Sequence, residues 1–334
     1  MNVAMWGRAV RVIPRVTAED WKSLDIIARW LIATRSAVLV MTLISSSLAG
    51  LLALRDGAMR ASLWALVTVG LLFAHATNNL INDFTDHVKG VDKDNYFRTQ
   101  YGPQPLEHGL MTRSEMMRYI GVTGAIALAC GVALVVLRGQ ATLILLGIGA
   151  FFVLFYTWPL KYLGLGEPAV IAVWGPLMVG GGYYVITGRV YSEVVLASLP
   201  FALASTTVLF GKHIDKLEAD KAKGIRTMPV LLGHRLARYT TIGMLASQYL
   251  LVGYLAVIKF VSWPLIVVLA AGPMFVLALR VYTKPRPEAP PDNYPKGIWP
   301  LWYAAVAFAH TRRFGALYVL GLGVDVILRR AGVI

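Results

Sequence analysis

Cysteine is almost absent: Cys130 is the only one, and it sits inside an apolar run. A single thiol excludes an intrachain disulfide and a cysteine-based zinc site. Charge is scarce too. Asp, Glu, Lys and Arg make up 15% of the 334 residues, against 57% hydrophobic residues. Such a chain lacks the polar surface that a soluble protein of this length needs, so its length does not count soluble domains. The alternation that marks a membrane barrel is also lacking, because the apolar runs are continuous. No secretory signal pattern opens the chain: the first apolar span begins near residue 37, and no small-residue cleavage pattern follows it. Acids are the scarcer charge, 18 against 32 Lys+Arg, for a net +14. Most of the cations flank apolar spans, where topology and anionic lipid headgroups account for them, and no nucleic-acid partner is expected.

What is present is a series of apolar runs. Nine candidate spans fall at about 37–54, 61–82, 119–137, 141–158, 167–187, 193–211, 238–258, 262–281 and 314–331. Several approach the lower limit of about 17–20 residues needed to cross a bilayer. The expected fold class is therefore all-α: a polytopic membrane protein of about nine helices in one bundle, with cap loops at the cytoplasmic end. Residues 31–334 would form the membrane domain. Residues 1–30 would form an N-terminal cytoplasmic or interfacial segment, in which Thr17-Ala-Glu-Asp20 reads as a helix N-cap with acid in its first turn. The loops after spans two, six and eight are rich in Lys and Arg, whereas those after spans one, three, five and seven carry one or two each. By the positive-inside rule the basic loops and the N-terminus face the cytoplasm, as expected of an integral protein of the cytoplasmic membrane. Arg329 and Arg330 fall on the opposite side and dissent.

Against this apolar background one stretch stands out, Asn79 to Asp92 at the end of span two. His75, Asn79, Asn82 and Asp86 step by four, three and four, which places them on one helical stripe. Asp83 lies beside the stripe, and Gly90 can release the chain into a loop bearing Asp92. Carboxylates this close repel unless a cation lies among them, and hard oxygen ligands suit Mg²⁺ shared with a substrate's phosphates. A solvated acidic helix end would read the same way. His75 fits equally a satisfied buried histidine or an acceptor contact. Span six ends on the same side with Lys212, His213, Asp215, Lys216 and Asp220, followed by Arg226. Acids that can hold Mg²⁺ and cations that can hold phosphate, backed by an apolar bundle, suit a molecule with a diphosphate head and a polyisoprenoid tail. The four-helix separation of the two clusters hints at an internal duplication.

These residues resemble the UbiA superfamily of intramembrane prenyltransferases over roughly residues 30–330. Asn82, Asp86 and Asp92 fit the first family motif, with Asp83 between them. The fuller pattern from Asn79 to Asp92 is similar to the 1,4-dihydroxy-2-naphthoate (menaquinone) branch. Similar too are Gly180-Gly181-Gly182-Tyr183-Tyr184, the run Arg226–Gly233, the element from Tyr156 to Lys161, and Gly166-Glu167. The resemblance implies transfer of a polyprenyl group from polyprenyl diphosphate to an aromatic acceptor in the bilayer. The reading favours 1,4-dihydroxy-2-naphthoate, whose carboxylate is lost in that branch. Other acceptors remain open: 4-hydroxybenzoate, a tetrapyrrole, or a glycerol-phosphate ether lipid. It implies Mg²⁺ held by Asn82, Asp83, Asp86, Asp92, Asp215 and Asp220. It also implies substrate contacts from Arg35, Asn79, Tyr156, Lys161, Lys212, His213, Lys216 and Arg226, and a loop over Arg98–Gly109 that caps the site.

The second motif departs from the family's Asp-x-x-x-Asp, because Asp215 and Asp220 are five residues apart. Helical positions i and i+5 lie about 140° apart, against about 40° for i and i+4. Either a π-bulge or a helix end returns Asp215 to the metal, which is the favoured reading, or Lys216 replaces it and meets the diphosphate directly; loss of activity is a third reading. A transporter is the rival from another class. Its acids should line a midplane pathway, whereas these cluster at helix ends.

Overall fold

The computed structural model describes residues 2–93, 102–295 and 298–334. Among these the chain is helical throughout, with no strand. Three short helices come first, α1 (Val3–Ala9), α2 (Ala18–Ser23) and α3 (Ile26–Ala33), followed by α4 (Val40–Arg55) and α5 (Ala61–Val88). Then come α6 (Arg113–Arg138), α7 (Gln140–Phe155), α8 (Gly166–Thr187), α9 (Ser192–Asp215) and the short α10 (Leu217–Ala222). Last are α11 (Met228–Val257), α12 (Trp263–Tyr282) and α13 (Tyr303–Arg330).

Seven of these, α4 taken with the 3₁₀ turn before it (together Ser36–Arg55), α5, α6, α8, α9, α11 and α12, are long and apolar enough to cross a membrane. The other two expected spans are helices of a different kind. α7 has 16 residues, and α13, although 28 residues long, carries Arg312, Arg313 and Asp325 along its length. α13 also starts earlier than expected, because the apolar piece 303–309 continues straight into it.

Burial separates inner from outer helices. In α4 and α9 67% of the apolar stretch is buried, against 17% in α6. Apolar residues such as Val122 and Val136 on α6 and Leu143 and Ile144 on α7 are exposed and face the surroundings that lipid occupies. The core instead joins Leu48, Tyr183, Phe201, Leu265 and Phe314 of α4, α8, α9, α12 and α13.

Local chemistry sets the boundaries. Thr17 caps α2 with a full capping box through Asp20, and Thr112 does the same for α6 through Glu115. The N-terminal helices fold onto the bundle: Ala9, Trp21 and Ile32 share a core with Leu80 of α5 and Met116 of α6. Asp25 holds this arrangement by accepting from the Asn2 amide (2.6 Å) and the Trp6 indole (2.9 Å). The Ala28 amide, which it also accepts (2.9 Å), and then those two bonds hold its carboxyl down at about 2.

Candidate active site

α5 delivers Asn79, Asn82, Asp83 and Asp86 buried, although all four are polar. Each has a partner that explains this. Arg35, in the left-handed region (φ 55) between α3 and α4, donates to Asp83 at 2.6 Å and to the Asn79 carbonyl at 3.1 Å. A non-glycine residue held at positive φ stores strain of about 1–3 kcal/mol, which the buried charge-assisted bond offsets. Asn79 donates to the Thr34 carbonyl (2.9 Å) and Asn82 to the Thr157 hydroxyl (3.2 Å). Lys161 Nζ donates to both oxygens of Asp86 at 2.9 Å. Just past the helix, Gly90 (φ 68) turns the chain so that the Val91 amide meets the Asp86 carbonyl at 2.8 Å and the Gly90 amide meets that of His87 at 3.0 Å. This Schellman turn folds the buried Asp92 back beside Asp86.

The second cluster repeats the turn. Gly224 (φ 69) lets the Ile225 amide reach the Asp220 carbonyl at 2.9 Å, and the Gly224 amide reaches that of Lys221 at 3.1 Å. Asp220 accepts from Lys216 Nζ at 2.8 Å through Oδ1, while its Oδ2 is buried and has no hydrogen-bond partner among the described residues. The two turns are clipped together by Lys223, whose ammonium reaches the carbonyls of Val91 (2.6 Å) and Lys93 (2.8 Å). Between them lies Lys161. Burial works against its ammonium, but the neighbouring Asp86 and Asp220 carboxylates outweigh that and raise its pKa above the ordinary lysine value.

The same place corrects the expectation for Asp215. Its Oδ1 accepts the amides of Trp302 (3.1 Å) and Tyr303 (3.0 Å), and its Oδ2 accepts that of Ala304 (2.9 Å). It therefore caps the start of α13 and is removed from the acid cluster. α9 ends at Asp215, and Lys216 is non-helical (φ −115, ψ 22), so the break turns Lys216 rather than Asp215 toward Asp220. The favoured pairing of Asp215 with Asp220 does not occur.

Behind the two turns a chamber of about 890 Å³ runs into the bundle, near the upper end of the range for small-molecule sites. Arg35, Asn79, Asn82 and Tyr156 line it, as do Lys161, Lys212 and His213. The rest of the wall is largely apolar, with Leu71, Leu134, Leu145, Leu177 and Met178 among it. Arg226 is exposed and does not line the chamber. Residues 102–111 lie over the end of α5, where Glu107 meets His87 at 2.5 Å; Arg98 to Tyr101 lie outside the described residues.

Residues 43–304, most of the chain, match the UbiA prenyltransferase family. The chain belongs to that family. Among similar proteins, the 1,4-dihydroxy-2-naphthoate octaprenyltransferase of Escherichia coli (strain K12) is 32% identical over 187 residues, covering 53% of this chain and 59% of that enzyme. The match thus spans less than two thirds of that relative's length. The UbiA prenyltransferase domain-containing protein 1 of Ailuropoda melanoleuca is 26% identical over 252 residues, covering 75% of this chain and 74% of its own. The fold is also that of a UbiA homolog from Aeropyrum pernix K1, solved without ligand (TM-score 0.62, 16% identity, 87% of this chain and 98% of that one).

Within this UbiA family fold several residues went unassigned in the sequence. Glu167 is buried and accepts from His213 Nδ1 (2.6 Å) and from the Met228 amide (3.3 Å), tying α8 to α9 and to the start of α11. Thr157 orients Asn82, and Lys223 joins the clusters. Glu167 was visible only as part of a Gly-Glu pair, and Lys223 as one cation of a basic loop.

Proposed function

We propose that this protein transfers a polyprenyl group from a polyprenyl diphosphate to an aromatic acceptor in a Mg²⁺-dependent reaction, with 1,4-dihydroxy-2-naphthoate or a close relative as acceptor. The observation that carries the reading is the convergence of two helix-end acids, Asp86 and Asp220, on the buried Lys161 at the mouth of an apolar chamber. The naphthoate acceptor rests on the likeness to the Escherichia coli enzyme and on the pattern from Asn79 to Asp92. The acidic end of the bundle faces the cytoplasm, where diphosphate esters and Mg²⁺ are available.

The donor set fits magnesium. Asp86, Asp92, Asp220 and Asn82 offer hard oxygens, and Asp220 Oδ2 is a buried anionic oxygen without a partner among the described residues. No three Asp, Glu, His or Cys side chains among those residues meet closely enough to enclose an ion by themselves. Mg²⁺ takes one or two carboxylates and completes its shell with phosphates and water. Magnesium, when bound, neutralises the departing diphosphate. The protein supplies the rest. Lys161 and Lys216 stand against the acids as positive charges for phosphate oxygens, with Lys212 in the chamber wall beyond. Arg35 fixes Asp83 and Asn82. The apolar wall excludes water, so the allylic cation left by C–O cleavage meets the acceptor ring first.

The test uses purified full-length protein in nanodiscs with Mg²⁺, a labelled polyprenyl diphosphate and a panel of aromatic acceptors, with products read by mass. The expected product is the prenylated ring of 1,4-dihydroxy-2-naphthoate less its carboxylate, lost on EDTA treatment and restored by Mg²⁺. Transfer that persists in EDTA, or none to any aromatic acceptor, would overturn the proposal.

A further inference from the structure

We infer that the deep part of the chamber contains a second subsite, formed by Trp174, Ser205 and His75, that binds an oxygen-bearing aromatic ring rather than the hydrocarbon tail. The inference rests on the reading of the protein as an aromatic prenyltransferase and names where its acceptor sits.

The first observation concerns hydroxyls on α9. In an apolar bundle a serine or threonine ordinarily returns its hydrogen bond to its own helix. Thr206 donates to the Ala202 carbonyl (2.8 Å), Thr207 to that of Ala204 (2.7 Å) and Ser198 to that of Val195 (2.6 Å). Ser205 does not. It is 7% exposed, its Oγ has no partner among the described residues, and it lines the chamber.

Trp174 repeats the pattern from the facing helix. Its indole Nε1 is also buried without a partner among the described residues, and it too lines the chamber. It lies in the segment Val173–Gly181, where α8 takes a π-helical course around Pro176. Such wider turns change which side chains a helix presents, and they recur at functional sites. Ser45 fixes the backbone here by donating to the Trp174 carbonyl at 2.9 Å. The two helices are close at this level: a Cβ on Gly175 would fall 2.9 Å from Ala202 Cβ and 3.0 Å from Ser198 Oγ. Ser205 is one helical turn from Ala202.

His75 completes the group from α5. Its ring stands edge-on to Trp174, with centroids 5.1 Å apart and planes at 89°. Thr42 holds its Nδ1 at 2.8 Å, which fixes the ring and leaves Nε2 as its other hydrogen-bonding atom in the chamber wall.

An isoprenoid tail has no oxygen or nitrogen and satisfies none of these groups. A ring hydroxyl or carbonyl does, by accepting from the Trp174 N–H and the Ser205 O–H once those side chains turn their polar atoms, now sealed from the chamber, toward the ring, while its π-face packs against the aromatic edges. The diphosphate is held elsewhere, because Asp86 lies about 16 Å farther along α5 than His75. Asn79 is only one turn, about 6 Å, from His75. A two-ring molecule spans that interval.

The experiment measures equilibrium binding to full-length protein in nanodiscs, without donor. The probes are 1,4-dihydroxy-2-naphthoate and 2-naphthoate, which lacks the ring hydroxyls. Wild type is compared with Trp174→Phe, Ser205→Ala and the double variant. Wild type should prefer the hydroxylated probe by about five- to tenfold, the worth of one or two hydrogen bonds. Each single variant should lose part of that preference and the double variant nearly all of it, with 2-naphthoate affinity unchanged. Binding of geranylgeranyl thiodiphosphate should stay the same, which checks that the chamber is intact. Equal weakening of both naphthoates, an unchanged preference, loss of thiodiphosphate binding instead, or no binding of the hydroxylated probe would each overturn the subsite. If wild type transfers prenyl groups but the preference is flat, the subsite fails and the proposed function stands. If the preference behaves as expected but no aromatic is prenylated, the reverse holds.

Discussion

Asp86 and Asp220 occupy the same place in two copies of one local design. Each lies four residues before a left-handed glycine, Gly90 or Gly224, and each accepts at its backbone carbonyl the amide two residues beyond its own cap. The side chains around them differ. Four residues before Asp86 is the amide Asn82; four before Asp220 is the cation Lys216. Two residues after Gly90 comes the buried Asp92; two after Gly224 comes the exposed Arg226. The first end is therefore assembled from oxygens and takes its positive charge from connections between other helices, through Arg35 and Lys161. The second carries its own counter-charge, and its extra acid, Asp215, has been diverted to hold α13. The comparison teaches that a shared backbone turn can present an all-oxygen face at one end and an acid paired with its own cation at the other.

Removing Asp86 should break the comparison most completely. Asp86→Asn keeps an oxygen for Lys161 but removes the charge, and prenyl transfer should fall by about 10²–10³-fold, as when one preorganised electrostatic group is lost. The protein should stay monodisperse in detergent, and turnover near wild type would contradict the assignment of the oxygen-rich end. Lys216→Ala tests the other end with a smaller effect. It removes one charge-assisted contact to phosphate, so kcat/KM should fall roughly ten- to a hundredfold. The remaining activity should still require Mg²⁺, because the acids are intact. An unchanged kcat/KM would return Lys216 to a structural partner of Asp220. Asp215→Ala should affect catalysis least. Its loss leaves three backbone amides at the start of α13 without their acceptor and should lower stability by about 1–3 kcal/mol, read as a fall in Tm, with Mg²⁺-dependent turnover retained. Loss of turnover with no change in Tm would restore Asp215 to the metal set.

Much of this was legible from local pattern. The spans around Val67, Leu48 and Phe201 could be read because a bilayer admits only continuous apolar helices with internally bonded backbones. The stripe from His75 to Asp86 could be read because a single unbroken helix carries it, so spacing translates directly into direction. The second cluster could not, since α9 stops at Asp215 and direction beyond a helix break depends on dihedral angles that spacing does not encode.

The amino-acid order by itself determined that the chain is an apolar helical bundle, that acids gather at the ends of α5 and α9, and that the glycine at 90 releases the chain from its helix. Only the tertiary structure decided that Asp215 serves α13, that Lys216 faces Asp220, and that Lys161 stands between two acids from opposite halves of the chain. It alone also left the Trp174 indole nitrogen and the Ser205 hydroxyl beside the chamber without a partner among the described residues. The physical reason is one of range. Helix formation and apolar burial are set by residues a few positions apart, whereas a buried polar group takes whichever partner the packed bundle brings within 3 Å, and for Asp215 those partners lie 87 to 89 residues away.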